Sequence, residues 1–169
     1  VIHKLAEYAS NEIDYLSIFA DGSGKGIGIQ HALSETEFDC RMDNIENIRE
    51  HLLNMIGSLA PIDRKKAKWM MNMITFEKLK RILPDGFSEN EQELMGLSII
   101  KNEFMSTINS GDPFLILGNF NEYHVGLKES LSLRRFDDSQ YREMNQFLLL
   151  GRIRLGNNLK NKKAFRMLR

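Results

Sequence analysis

The chain has 169 residues, 42% hydrophobic and 27% charged, which suits a globular domain able to bury its own core. Its 23 basic and 23 acidic residues cancel, its one cysteine, Cys40, rules out an internal disulfide, and its longest apolar runs are far too short to cross a bilayer. The N-terminus carries acids where a signal peptide needs a basic start and an apolar stretch, and it opens on Val, which reads as a fragment or a processed chain of a reducing compartment.

In chain order, the first predicted element is a helix over residues 2–16, with Leu5, Ala9, Ile13 and Leu16 on one face. The stretch FADGSGKGIGIQ, residues 19–30, follows. A phosphate loop needs Gly-Lys-Ser or Gly-Lys-Thr after a glycine and four residues, but Gly24-Lys25 precedes Gly26 and the required glycine position holds Phe19. The glycine spacing of a dinucleotide fingerprint fails in every register, so the stretch reads as a turn or surface loop. Residues 43–61 predict the clearest helix. Asp43 would be its N-cap, Glu46 stands at capping-box spacing, and Ile45, Ile48, Leu52, Met55, Ile56 and Leu59 form the buried stripe up to Pro61. Further helices are expected over 63–74, with Asp63 as cap and Ala67, Met70, Met71 and Ile74 apolar, and over 75–83 up to the PDG break. Ser88 and Glu91 suggest another helix start, although LSIIKNEF beyond them fits a helix or a strand equally.

After NSGDP the texture changes. FLILG, EYHVGL, LSLRRF and QFLLLGRIRL are short apolar runs bounded by Gly, Asn or Asp and predict strands, with a hairpin tip at Gly118, Asn119 and Asn121. Helices first and strands second make an α+β chain. It reads as a single domain over 1–169, mainly helical to residue 110 and strand-rich over 111–169.

Catalytic patterns are missing. His3, His31, His51 and His124 lie at no metal-ligand spacing, and Trp69 with Met70, Met71, Met73 and Met95 reads as core. Glu35, Glu37, Asp39 and Asp43 could be imagined as the metal ligands of a nuclease, but such clusters are usually a solvated face. No cofactor is expected. Charge is more informative: residues 144–169 hold seven basic and no acidic residues, leaving residues 1–143 at minus seven. A basic end on an acidic body suits contact with a polyanion, nucleic acid or acidic protein, and RIRLG places Arg152 and Arg154 on one strand face.

FEKLKRILPDGFSENEQELMGLSI, then GDPFLILGNFNEYHVGL at 111–127 and REMNQFLLLGRIRL at 142–155, occur in an order that resembles the C-terminal host-adaptation domain of the orthomyxovirus polymerase basic protein two, the cap-binding subunit of the viral RNA polymerase, in a thogotovirus-like form. The resemblance spans residues 43–160 and implies a helical cluster with a small antiparallel strand and loop segment packed on it, part of a larger subunit. It implies a non-catalytic role in viral transcription in the host nucleus and the virion. The implied partners are other polymerase subunits, viral RNA or nucleoprotein, and an acidic host nuclear protein. Under it the binding surface is Arg134, Arg135, Arg152, Arg154, Lys160, Lys162, Lys163 and Arg166, and Glu122 in NFNE takes the host-determinant position. Arg134 and Arg135 could instead pair with Asp137 or Asp138. The alternatives are a stand-alone nucleic-acid-binding regulator and a metal-dependent nuclease.

Overall fold

A computed structural model of the chain describes every residue except 1, 24, 25, 35, 43, 109, 110, 137–140, 142 and 145. Helix α1 spans Ile2–Phe19 and a five-residue helix, α2, spans Ile29–Leu33. Strand β1 (Asp39–Cys40) precedes α3 (Ile48–Ser58), the short α4 (Pro61–Arg64), strand β2 (Lys68–Met71) and α5 (Met73–Ile82). The remaining strands are β3 (Glu93–Leu94), β4 (Leu97–Lys101), β5 (Leu115–Gly118), β6 (Tyr123–Phe136), β7 (Leu148–Leu159) and β8 (Phe165–Leu168).

Six strands form one sheet in the order β1-β8-β5-β2-β4-β3, parallel at β1/β8 and β2/β4 and antiparallel elsewhere. Strand alternation sends Trp69, Met71, Leu115, Leu117 and Leu168 to one face, where they pack with Ile48 and Leu52 of α3 and Phe76 and Leu79 of α5. Ile116, Phe165 and Met167 point the other way, onto Ile18 of α1 and Ile29 and Leu33 of α2. Helices cover both faces, so β5 is apolar along its whole length and β8 is buried throughout, Arg166 included. Each large side chain so buried contributes about 1.5–3 kcal/mol.

The α+β class holds, and so do the apolar stripes read for α1 and α3. Residues 63–74 depart from the predicted helix: it stops at Arg64, and Lys68–Met71 becomes β2 with Trp69 and Met71 turned inward. Trp69 Nε1 donates to the Leu94 carbonyl at 2.9 Å, a partner that strand geometry supplies. Asp63 caps no helix there; it is buried and accepts from Asn119 Nδ2 at 2.9 Å. The helix start read at Ser88 is instead a turn, in which Ser88 Oγ accepts from Glu93 N and leads into the β3–β4 hairpin. Met95 and Gly96 close that hairpin with φ of 52° and 77°, the left-handed pair that a tight two-residue turn requires. Asp43 lies outside the described residues; Asn44 does the capping, accepting from Glu46 N at 3.1 Å. The expected hairpin tip at 118–121 is a single turn of 3-10 helix, Phe120–Glu122, where the chain leaves the sheet. Strands β5 and β6 on its two sides belong to different sheets.

Candidate functional site

Among the described residues, strands β6 and β7 form a two-stranded sheet of their own, over eleven registered pairs from Tyr123↔Leu159 to Phe136↔Leu148, with register shifts between Leu127 and Ser132. The twelve residues of β7 reach roughly 40 Å at strand rise, far beyond the four-residue strands of the sheet. The pair is a long two-stranded ribbon carried by a compact body.

The glycine-rich turn anchors its base. Ile27 N donates to the Asn157 carbonyl at 2.9 Å, Asn157 Nδ2 donates to the Leu16 carbonyl at 3.1 Å, and Gly28 N donates to the Ala20 carbonyl at 2.8 Å. A Cβ on Gly28 would fall 2.4 Å from the Ile18 carbonyl oxygen, so the backbone there can approach α1 only without a side chain. Tyr123, whose hydroxyl reaches the Ile27 carbonyl, has its pKa pushed above the ordinary phenol value by burial.

The two faces of the ribbon differ. On the inner face Leu127, Ile153 and Leu155 look across an open groove of about 1060 Å³ at the α1 stripe of Leu5, Ala9, Ile13 and Leu16, with Glu12 and Lys128 also lining it. On the outer face, register and alternation put Ser132, Arg134, Phe136, Leu148, Leu150 and Arg152 side by side, with Arg154 two residues along. Arg154 Nε meets Glu129 Oε2 at 3.5 Å. Leu127, Phe147, Leu148 and Leu150 are each at least 40% exposed, so apolar side chains project well away from the cores of the body.

The basic residues expected to form one surface are divided. Arg134, Arg152 and Arg154 share the outer face. Arg135 belongs to the opposite face and stacks on the Phe147 ring at 4.6 Å. Lys160, Lys162 and Lys163 are exposed at the ribbon's base, around the 3-10 turn into β8. Arg166 is removed from any binding surface: it is buried, and its guanidinium donates to Ser58 Oγ at 2.8 Å and to the carbonyls of Ser58, Lys163 and Phe165 at 2.7, 2.9 and 2.6 Å. Burial pulls its pKa below the ordinary guanidinium value, against Cys40 and Glu37. Glu122 is half-buried in the turn at the ribbon's base, where its carbonyl accepts from Lys160 N. Asp137 and Asp138, the expected partners of Arg134 and Arg135, lie outside the described residues.

The nuclease reading also comes apart. Asp39 is held by the guanidinium of Arg169, which ties β1 to β8, and Glu35 and Asp43 lie outside the described residues. Among the described residues no group of three or more His, Cys, Asp or Glu is placed to hold a metal, and no helix is long and apolar enough to cross a membrane. Sequence reasoning missed the ribbon itself. Its signal was present as two apolar-and-basic runs on either side of residues 137–147.

The family description matching this sequence, over residues 3–169, is that of phage capsid proteins. The chain belongs to the phage capsid family. In backbone this capsid-family chain is similar to the capsid of an empty GTA particle, at TM-score 0.78 and 17% identity over 99% of this chain and 65% of that one. It is similar also to an encapsulin complex from Synechococcus elongatus, at 0.70 and 10% over 99% and 63%. Mycobacterium phage Ogopogo supplies a third likeness, at 0.63 and 13% over 100% and 67%. At these identities the likeness establishes the fold. The capsid-family chain spans about two thirds of the length of these structures. No curated protein matches it.

Family membership corrects the orthomyxovirus resemblance, and with it the polymerase role, the RNA and nucleoprotein contacts, the acidic host partner and the nuclear location. It equally displaces the nucleic-acid-binding regulator and the nuclease. The resemblance rested on the order of short helices and strands, which unrelated folds share; FLILG and RIRL, which it put in one small strand segment, lie in separate sheets. Glu122 loses the host-determinant role that only the resemblance assigned. The expectation of a non-catalytic chain is in keeping with membership of a capsid family.

Proposed function

We propose that the chain is the folded part of a capsid subunit whose work is to join with copies of itself into the shell of a phage particle. The observation that carries this reading is the ribbon, which extends apolar side chains away from the body beside a groove whose apolar walls stay open. A lone protein gains nothing from such surfaces, and they mark places where another surface belongs. Family membership over residues 3–169 supports a shell as the class of assembly. On this reading residues 1–169 are one structural domain within a larger subunit, and Arg134, Arg152 and Arg154 serve contacts between proteins.

Sedimentation velocity of the purified protein across a concentration series tests it. Growth into large species with rising concentration is expected, and negative-stain images of those species should show closed or curved single-layer sheets. A monomer at every concentration overturns the reading.

A further inference from the structure

The outer face of the ribbon concentrates positive charge. Arg134 and Arg152 are exposed beside Leu148 and Leu150, Arg154 continues the row, and among the described residues Glu129 is the acid seated with them, against Arg154. Its charge complement lies at the other end of the fold. Between Leu83 and Met95 the chain has four acids, Asp85, Glu89, Glu91 and Glu93, and no basic residue, and all four are exposed. They sit before and on β3, the outermost strand of the sheet. A polar groove of about 590 Å³ runs along this edge, lined by Asn90, Glu91, Gln92, Glu93 and Ser98 with Lys101 and Ile99 beside them. Lys80 holds Glu91 at 2.6 Å, which leaves the edge net negative.

One chain does not bring these surfaces together by its topology. The ribbon leaves the sheet at β5 and packs beside α1, whereas β3 lies three strands beyond β5. Two unlike complementary surfaces on one molecule favour head-to-tail contact, the kind that propagates into rings and nets.

We propose that the arginine face of one ribbon seats against the acidic β3–β4 edge of a second copy of this chain. The inference rests on the reading of the chain as a shell subunit and names the surfaces that meet. Arginine forks onto exposed carboxylates, and Leu148 and Leu150 lie beside them to cover the hydrophobic side of Ile99. The acids on the outward face of α1, Glu7 and Asp14, are the competing partner. Lys4 stands near them on the same helix, and they line neither the groove beside α1 nor the one at the β3–β4 edge.

Charge exchange tests the pairing. Association is measured by sedimentation velocity at low salt for the parent, for R134E/R152E, for E89K/E93K and for the combined quadruple variant; circular dichroism checks each fold, since all four positions are exposed. Each double variant should associate about tenfold or more weakly, and the quadruple should return to within about threefold of the parent, because only paired sites rescue one another. Unchanged association in the double variants, or rescue of R134E/R152E by E7K/D14K in place of E89K/E93K, overturns the pairing while the shell reading stands. A parent that never associates overturns both.

Discussion

Replacing Arg166 separates a structural arginine from a binding one. In Arg166→Met the methionine keeps most of the aliphatic packing under Phe38, whose ring lies 4.8 Å from the guanidinium carbon, but all four donated hydrogen bonds vanish. Ser58 and Lys163 lie at the surface, where water can replace the lost donor, so the acceptor stranded in the interior is the carbonyl of Phe165. That buried acceptor left alone costs about 1–3 kcal/mol, and losing the charge-assisted bonds to Ser58 costs about 1.5 kcal/mol more, which places the total near 3 kcal/mol. That is a large share of the roughly 5–15 kcal/mol that holds a domain together. At about 2–4 °C per kcal/mol for a chain of this length, Tm should fall by about 6–12 °C. Arg152→Met, on the exposed ribbon, is the control and should stay within about 0.5 kcal/mol of the parent. Thermal unfolding by circular dichroism reads both. Equal Tm values for the two variants would refute the claim that Arg166 stitches the end of α3 to β8.

Three other outcomes follow from the same packing. Trp69, the one tryptophan, is fully buried, so its emission should be blue-shifted when folded and move red on unfolding; Trp69→Phe should cost about 2–3 kcal/mol in chemical denaturation, through a void and the abandoned Leu94 carbonyl. Gly28→Ala should cost about 1–3 kcal/mol or more by urea titration, because the new methyl would meet the backbone of Ile18, and it should loosen the ribbon's base so that the Ile27 amide, which donates to the Asn157 carbonyl, exchanges faster. Burial pushes the Cys40 thiol above its ordinary pKa, with Arg166 opposing, so the folded state favours the protonated form; its contribution is present below the unfolded thiol's pKa near 9 and is lost as pH rises past it. Tm should therefore decline from pH 8 to pH 10, less steeply in Cys40→Ala, and the thiol should react slowly with iodoacetamide at pH 8.

What could be read from the residues alone was local. The 3.6-residue stripe of α3 identifies its buried face and that of α1 the face it turns to the groove, and RIR alternation does put Arg152 and Arg154 on one side of a strand. The failures are non-local. KWMM carries the same apolar residues whether helical or extended, and only its pairing with β4 and β5 makes it a strand. The hairpin after Ser88 depends on left-handed Met95, an unusual residue in that conformation, so a helix cap was the simpler reading. A sheet that interleaves β8 between β1 and β5 needs contacts across more than a hundred residues, which no local pattern records. The basic end was visible as charge, yet its sorting into a ribbon face, a turn of lysines and one buried arginine depends on folding, and charge alone could not tell a nucleic acid from a second copy of the chain.

The most direct test of the central claim is electron cryomicroscopy of the purified protein after assembly. The account predicts shells in which this fold repeats, with each ribbon covered by a neighbouring copy and its apolar side chains buried there. Dispersed single copies, or shells in which the ribbon and the α1 groove both face open solvent, would contradict it.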